Sequence, residues 1–220
     1  MSQQLLMLRN PHGRADYTKE WIGDWADDSE QWTAKAKAEL KYTPNEEVDG
    51  IFWMNNSDFL SQFKYVYVCR ELTEKKGWFV KSMNSHWKGA SSAGFPGKLR
   101  QVPQFKLTIH APCSGYISLT QMDDSGSSFK GKNLVGWMVS REQGKIMPKL
   151  NKRNLITKAG ISDLKTLSGE IEFDEKVSYP YTFTIICGSL KAGPGGEGNF
   201  ELKVYTRDQK MKLEKLNHNE

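Results

Sequence analysis

Phe105-Lys106-Leu107-Thr108-Ile109 carries an apolar side chain at every second position with a polar one between. That is the period of a strand with one face buried and the other in water. The spacing returns in Trp78-Val80, Ile117-Leu119, Val135-Trp137-Val139, Ile171-Phe173, Tyr181-Phe183-Ile185 and Phe200-Leu202-Val204. Turn-forming residues separate these runs at Ser91 to Gly97, Asp123 to Gly131 and Lys191 to Gly198. About seven short strands without a long helical period predict an antiparallel β-sandwich over residues 73–207. A polar tail follows at 208–220 and is expected to fray from Gln209. Arg141 to Lys158 holds six Lys and Arg against one Glu and reads as an exposed loop.

The first third is different in kind. Leu5 to Arg9 reads as a short buried strand, stopped at Asn10-Pro11 because the residue before proline is driven out of the helical region. Gln31 to Lys41, with Ala34, Ala36, Ala38 and Leu40 among Lys and Glu, has helical composition. Phe52-Trp53-Met54 reads as a strand, Ser57 as the N-cap of a short helix ending at Phe63, and Tyr65 to Arg70 as an alternating strand. Charge divides the chain at the same place. Residues 1–71 hold 8 basic and 12 acidic side chains, and residues 72–220 hold 23 and 14. A change of sign on this scale predicts a domain boundary near residue 72, giving an α+β part at 1–72 and an all-β part after it.

Composition narrows the functional classes. A formal net charge of +5 over 220 residues is too mild to argue for nucleic acid. The uncharged stretch Val177 to Leu190 contains Pro180 and falls short of the ~20 residues that cross a bilayer. Leu5-Leu6-Met7-Leu8 is too brief for the apolar core of a signal peptide. Three widely spaced cysteines, Cys69, Cys113 and Cys187, do not make a disulfide framework, and a cytoplasmic location is the expectation. There is no Cys-x-x-Cys pair, His-Glu-x-x-His, P-loop or EF-hand loop. Cys69 and Cys187 lie in alternating apolar runs and read as small core residues. Trp78 and Trp137 read as core for the same reason.

Several segments resemble the calpain family of cysteine proteases. Leu6-Met7-Leu8-Arg9-Asn10-Pro11-His12-Gly13 is followed by Glu20-Trp21-Ile22-Gly23-Asp24-Trp25-Ala26-Asp27-Asp28-Ser29-Glu30-Gln31-Trp32 and by Asp49-Gly50-Ile51-Phe52-Trp53-Met54. These are similar, in order, to the end of the papain-like calpain core. His86-Trp87-Lys88-Gly89-Ala90-Ser91-Ser92-Ala93-Gly94, Pro103 to Leu107 and Gly193 to Tyr205 resemble the calpain-type β-sandwich. The resemblance implies part of a papain-like lobe followed by that sandwich, and limited hydrolysis of protein substrates under calcium control.

On that resemblance Asn10 is the third member of the catalytic triad. An amide oxygen at the end of a strand, fixed by a following proline, accepts the N–H of the catalytic imidazole without adding charge to the thiolate–imidazolium pair. The family's Cys and His precede this Asn, whereas the nine residues before Asn10 contain neither. The expectation is therefore a portion of a longer protease that works with an upstream half, or a non-catalytic regulatory or adaptor protein. Two further departures are His12, where the family has Trp, and four additional residues between Asn10 and Glu20.

The family's calcium ligands correspond to the carboxylates of Glu20, Asp27 and Asp49 and a carbonyl of Glu47. A further family carboxylate is replaced by Ile51, so the implied site is weakened, charge count being what tunes calcium affinity. Without an ion, Asp24, Asp27, Asp28 and Glu30 form an acidic solvated face. The basic sandwich offers a separate expectation, binding of acidic phospholipid or of a protein partner.

Overall fold

The computed structural model describes residues 3–11, 21–44, 50–122 and 133–217. The chain divides into two compact units, Met1–Cys69 and Arg70–Glu220. Its regular structure is mainly antiparallel β, with two short α-helices.

In the first unit β1 (Leu5–Arg9) pairs antiparallel with β2 (Ile51–Asn55), Leu5 opposite Asn55 and Arg9 opposite Ile51. Helix α1 (Ala34–Leu40) starts at Thr33, whose hydroxyl accepts from the Ala36 N–H, and stops at Lys41 in the left-handed conformation. Helix α2 (Asn56–Gln62) follows β2 directly. Its cap is Asn55 rather than Ser57: Asn55 Oδ1 accepts from the Asp58 N–H at 2.8 Å, and the Ser57 hydroxyl donates to the same oxygen. A two-stranded sheet buries little by itself. Here Trp25, Trp32 and Trp53 form a cluster with Leu5, Ala36, Leu40 and Tyr42. Trp32 meets Trp25 edge-on at 5.0 Å and donates from Nε1 to the Ala26 carbonyl at 2.8 Å.

The expected strand over Tyr65 to Arg70 does not form. The segment is extended but joins no ladder, and its side chains are exposed, Tyr67 at 91%. Alternation supplies a strand's pattern, but a strand also needs a neighbour to hydrogen-bond, and none of the described residues provides one. Cys69 is accordingly exposed, not a core residue.

The second unit is a β-sandwich of two antiparallel sheets. One has the order β3 (Phe79–Trp87), β10 (Gly198–Thr206), β5 (Cys113–Met122), β8 (Thr166–Phe173). The other runs β11 (Lys212–Lys215), β4 (Gln104–Ile109), β9 (Tyr181–Ser189), β6 (Val135–Ser140), β7 (Leu155–Lys158). The alternating residues meet between the sheets: Phe105, Leu107 and Ile109 pack with Ile117, Leu119, Phe200, Leu202 and Val204. Trp137 is buried there and donates from Nε1 to the Leu167 carbonyl. Gly169 makes room for it, since a Cβ at that position would lie 3.0 Å from the indole. Trp78 is only half-buried, with the Arg207 guanidinium 4.3 Å above its ring.

Among the described residues nine strands form where the alternating runs predict seven, because two short ones carry no long alternating run. β7 lies inside the stretch expected to be a loop, and β11 lies in the expected frayed tail, where Met211 is buried. A second, smaller core covers the outer face of the five-stranded sheet. It contains Phe95, Leu99, Val102, Met138, Met147 and Ile186. Gly136 and Gly188 admit the Phe95 ring: a Cβ on Gly188 would fall 2.3 Å from the Phe95 Cβ. The described helices are short, and none of them is long and apolar enough to cross a membrane.

Candidate functional site

Asn10 follows the last residue of β1, and its backbone N–H donates to the Gly50 carbonyl at 2.7 Å. The bond extends the β1–β2 ladder by one pair and fixes the Asn10 backbone. Gly50 itself has φ of +83°, a conformation that suits glycine at the entry to β2. Asn10 and Pro11 lie at the wall of an open cavity of about 590 Å³, which is also lined by Trp21, Ile22, Phe52 and Phe63. Trp21 is held by its Nε1 donating to the Asp24 carbonyl at 2.8 Å. Ile22 and Phe63 face solvent beside it, at 82% and 43% exposure. His12 lies outside the described residues.

Of the four residues implied as calcium ligands, Asp27 is described; Glu20, Glu47 and Asp49 are not. Asp27 Oδ1 accepts from the Tyr42 hydroxyl at 2.5 Å, while its Oδ2 is buried without a hydrogen-bond partner. The side-chain amide oxygen Oε1 of Gln31 is buried and unmatched as well. A buried carboxylate oxygen left without a donor is costly unless a cation meets it, so this part of the donor set fits a hard ion. Ile51 begins β2 opposite Arg9 and adds no oxygen from its side chain. Among the described residues no group of three or more His, Cys, Asp or Glu gathers in a metal-binding arrangement. Asp24, Asp28 and Glu30 are exposed.

Cys113 and Cys187 lack the surroundings of a nucleophile. Cys187 is fully buried, and burial pushes its thiol far up. Burial likewise raises Cys113, reinforced by the charges of Asp208 and Glu172 against hydrogen bonds from the Arg207 and Asp208 backbone. His110, three residues from Cys113 in sequence, is engaged elsewhere: its Nδ1 is 3.0 Å from Asp208 Oδ2. Sequence reading missed Asp208 because its signal, a lone acid in a polar loop, is indistinguishable from surface charge.

The first 70 residues match the model of the calpain family cysteine proteases. The calpain-type cysteine protease ADL1 of Oryza sativa subsp. japonica is 29% identical over 93% of this chain and 10% of its own length. Human calpain-14 is 32% identical over 93% of this chain and 33% of its own. The calpain-type cysteine protease DEK1 of Arabidopsis thaliana is 35% identical over 54% of this chain and 6% of its own. In solved structures, a chain of the Triatoma virus empty capsid aligns with 62% of this chain at 11% identity and a TM-score of 0.31, too slight a likeness to bear on the fold. The chain belongs to the calpain family. It spans between about a twentieth and a third of the length of these relatives.

Proposed function

We propose that this chain supplies the orienting asparagine of a calpain-type cysteine endopeptidase and the sandwich that accompanies it, acting in the limited hydrolysis of protein substrates. The observation that supports this most is the seat of Asn10: just past a strand end, tied to Gly50, followed by Pro11, lining an open cavity. In such a site the thiolate attacks the scissile carbonyl and the imidazolium returns its proton to the leaving amine. Asn10 contributes by accepting the ring N–H, which fixes tautomer and orientation. On this reading the thiol and imidazole are supplied by a partner segment: burial raises the Cys113 and Cys187 thiols, and His110 is held by Asp208.

The first unit is read as part of a papain-like lobe. Asn10 and Gln4 bond toward β2, so Leu5, Met7 and Arg9 turn their N–H and C=O groups to the opposite edge of β1. Among the described residues no strand pairs with that edge, and a lobe of this class would be completed there. Calcium, when bound beside Asp27, would neutralise its unmatched oxygen and brace the turn that packs on Trp32. Glu20, Glu47 and Asp49 would complete the ligand set.

Purified alone, the chain leaves casein intact with or without calcium. Joined to a calpain half that carries the Cys and His, it gains calcium-stimulated casein cleavage that iodoacetamide abolishes. Cleavage by the chain alone, lost on Cys69→Ala or Cys113→Ala, would overturn this reading.

A further inference from the structure

The outer face of the five-stranded sheet carries an unbalanced charge held on a rigid base. The side chain of Gln104, fully buried, donates from Nε2 to the carbonyls of Leu99 at 2.8 Å and Met147 at 3.0 Å, and its Oε1 accepts from the Met147 N–H. It thereby locks the turn at 98–102 to the loop at 141–154. The Thr184 hydroxyl secures the same loop by donating to the Lys145 carbonyl at 2.9 Å. These segments and the sheet beneath them bring together Lys98, Arg100, Lys106, Lys145, Lys149 and Lys212, of which Lys106 alone has an ion pair, with Glu214 at 3.5 Å. Glu142 is taken up by the Asn154 amide at 2.9 Å. The four-stranded sheet differs, with Glu170, Glu172 and Glu201 at outward positions.

We infer that this face is a docking surface for an acidic polypeptide segment. Five unpaired cations on a pre-ordered base attract a polyanion and lose little conformational freedom on binding it. A bilayer would also offer negative charge, but the apolar side chains beneath the face are sealed: Phe95, Leu99, Val102 and Met147 are all buried. Leu150, 39% exposed, is the large apolar side chain the loop presents, which gives little insertion energy. The exposed residues of these segments include no aromatic ring to stack on a base. The inference is independent of the catalytic role of Asn10.

The test is fluorescence anisotropy of labelled poly-L-glutamate titrated with the full chain. Vesicles of phosphatidylcholine with about 30% phosphatidylserine serve as the competing surface. Binding should weaken at least about tenfold in the Lys145→Glu/Lys149→Glu variant and less than about twofold in Lys35→Glu/Lys37→Glu, whose changes lie on α1. It should also fall steeply between about 50 mM and about 300 mM salt. Unchanged melting temperatures show that both variants remain folded. Three outcomes would overturn the inference: no binding of poly-L-glutamate, equal loss in both variants, or a sensitivity to the 145/149 change seen only with vesicles.

Discussion

His110 Nδ1 lies 3.0 Å from Asp208 Oδ2, and the His110 backbone N–H donates to the same oxygen at 2.8 Å. Asp208 Oδ1 accepts from the Lys210 N–H at 2.9 Å, so one carboxylate fastens the end of β4 to the turn between β10 and β11. The side chain of Asp208 is 8% exposed. Burial by itself would raise its carboxyl, but the backbone N–H groups of His110 and Lys210 and the His110 ring outweigh that and hold it below its ordinary value of 3.8.

That sign sets a pH dependence. A carboxylate whose folded value lies below its unfolded one stabilises the fold above the unfolded value and loses its contribution as pH falls through the folded one. Asp208→Asn should cost about 1–2 kcal/mol near pH 7, and the gap to the parent should close as pH falls below the ordinary carboxyl value of 3.8. Thermal melts across that range check it; a constant gap would mean that the carboxylate charge is not involved.

Limited proteolysis should open the chain at 64–70 before any other place. Just past the boundary expected near residue 72, Glu74–Lys76 forms a 3-10 turn ending in Gly77, the Lys76 carbonyl accepts from Arg207, and Arg207 covers Trp78. Tyr65 to Cys69 lacks such ties and is exposed throughout, which is where proteases find extended backbone. Chymotrypsin should cleave after Tyr65 or Tyr67 first and leave a stable fragment ending beyond Met211. Mass spectrometry of the early products checks this; first cuts between residues 79 and 206 would contradict it.

Calcium titration by calorimetry should show weak binding, with Ile51→Glu tightening it about tenfold by returning a carboxylate oxygen to the set. Asp27→Ala should abolish it. If neither substitution changes the heat of binding, any ion sits elsewhere.

The sandwich was legible because Phe105, Leu107 and Ile109 obey a rule, alternation, that the fold then uses directly. The helices were legible from composition, though the cap moved from Ser57 to Asn55 because both side chains are competent and backbone geometry decides between them. Tyr65 to Arg70 misled for the opposite reason: strand pattern is local, whereas strand pairing needs a partner from elsewhere. β7 and β11 escaped notice because four residues seldom show a period. Of the candidate site, Asn10 stands out through the motifs around it, not through its own chemistry. Gln104 was not legible at all, since a buried glutamine is distinguished only by the carbonyls folding brings to it.

If Asn10 orients the catalytic imidazole, steady-state kinetics of Asn10→Ala in the chain joined to a Cys- and His-bearing calpain half should register the loss. A fall in kcat on the order of 10²-fold or more is expected, with KM for a peptide substrate and the melting temperature little changed. Partial recovery is expected with Asn10→Asp, which keeps an acceptor at that position. An Asn10→Ala enzyme with unaltered kcat would contradict the claim and leave Asn10 as a turn residue at the end of β1.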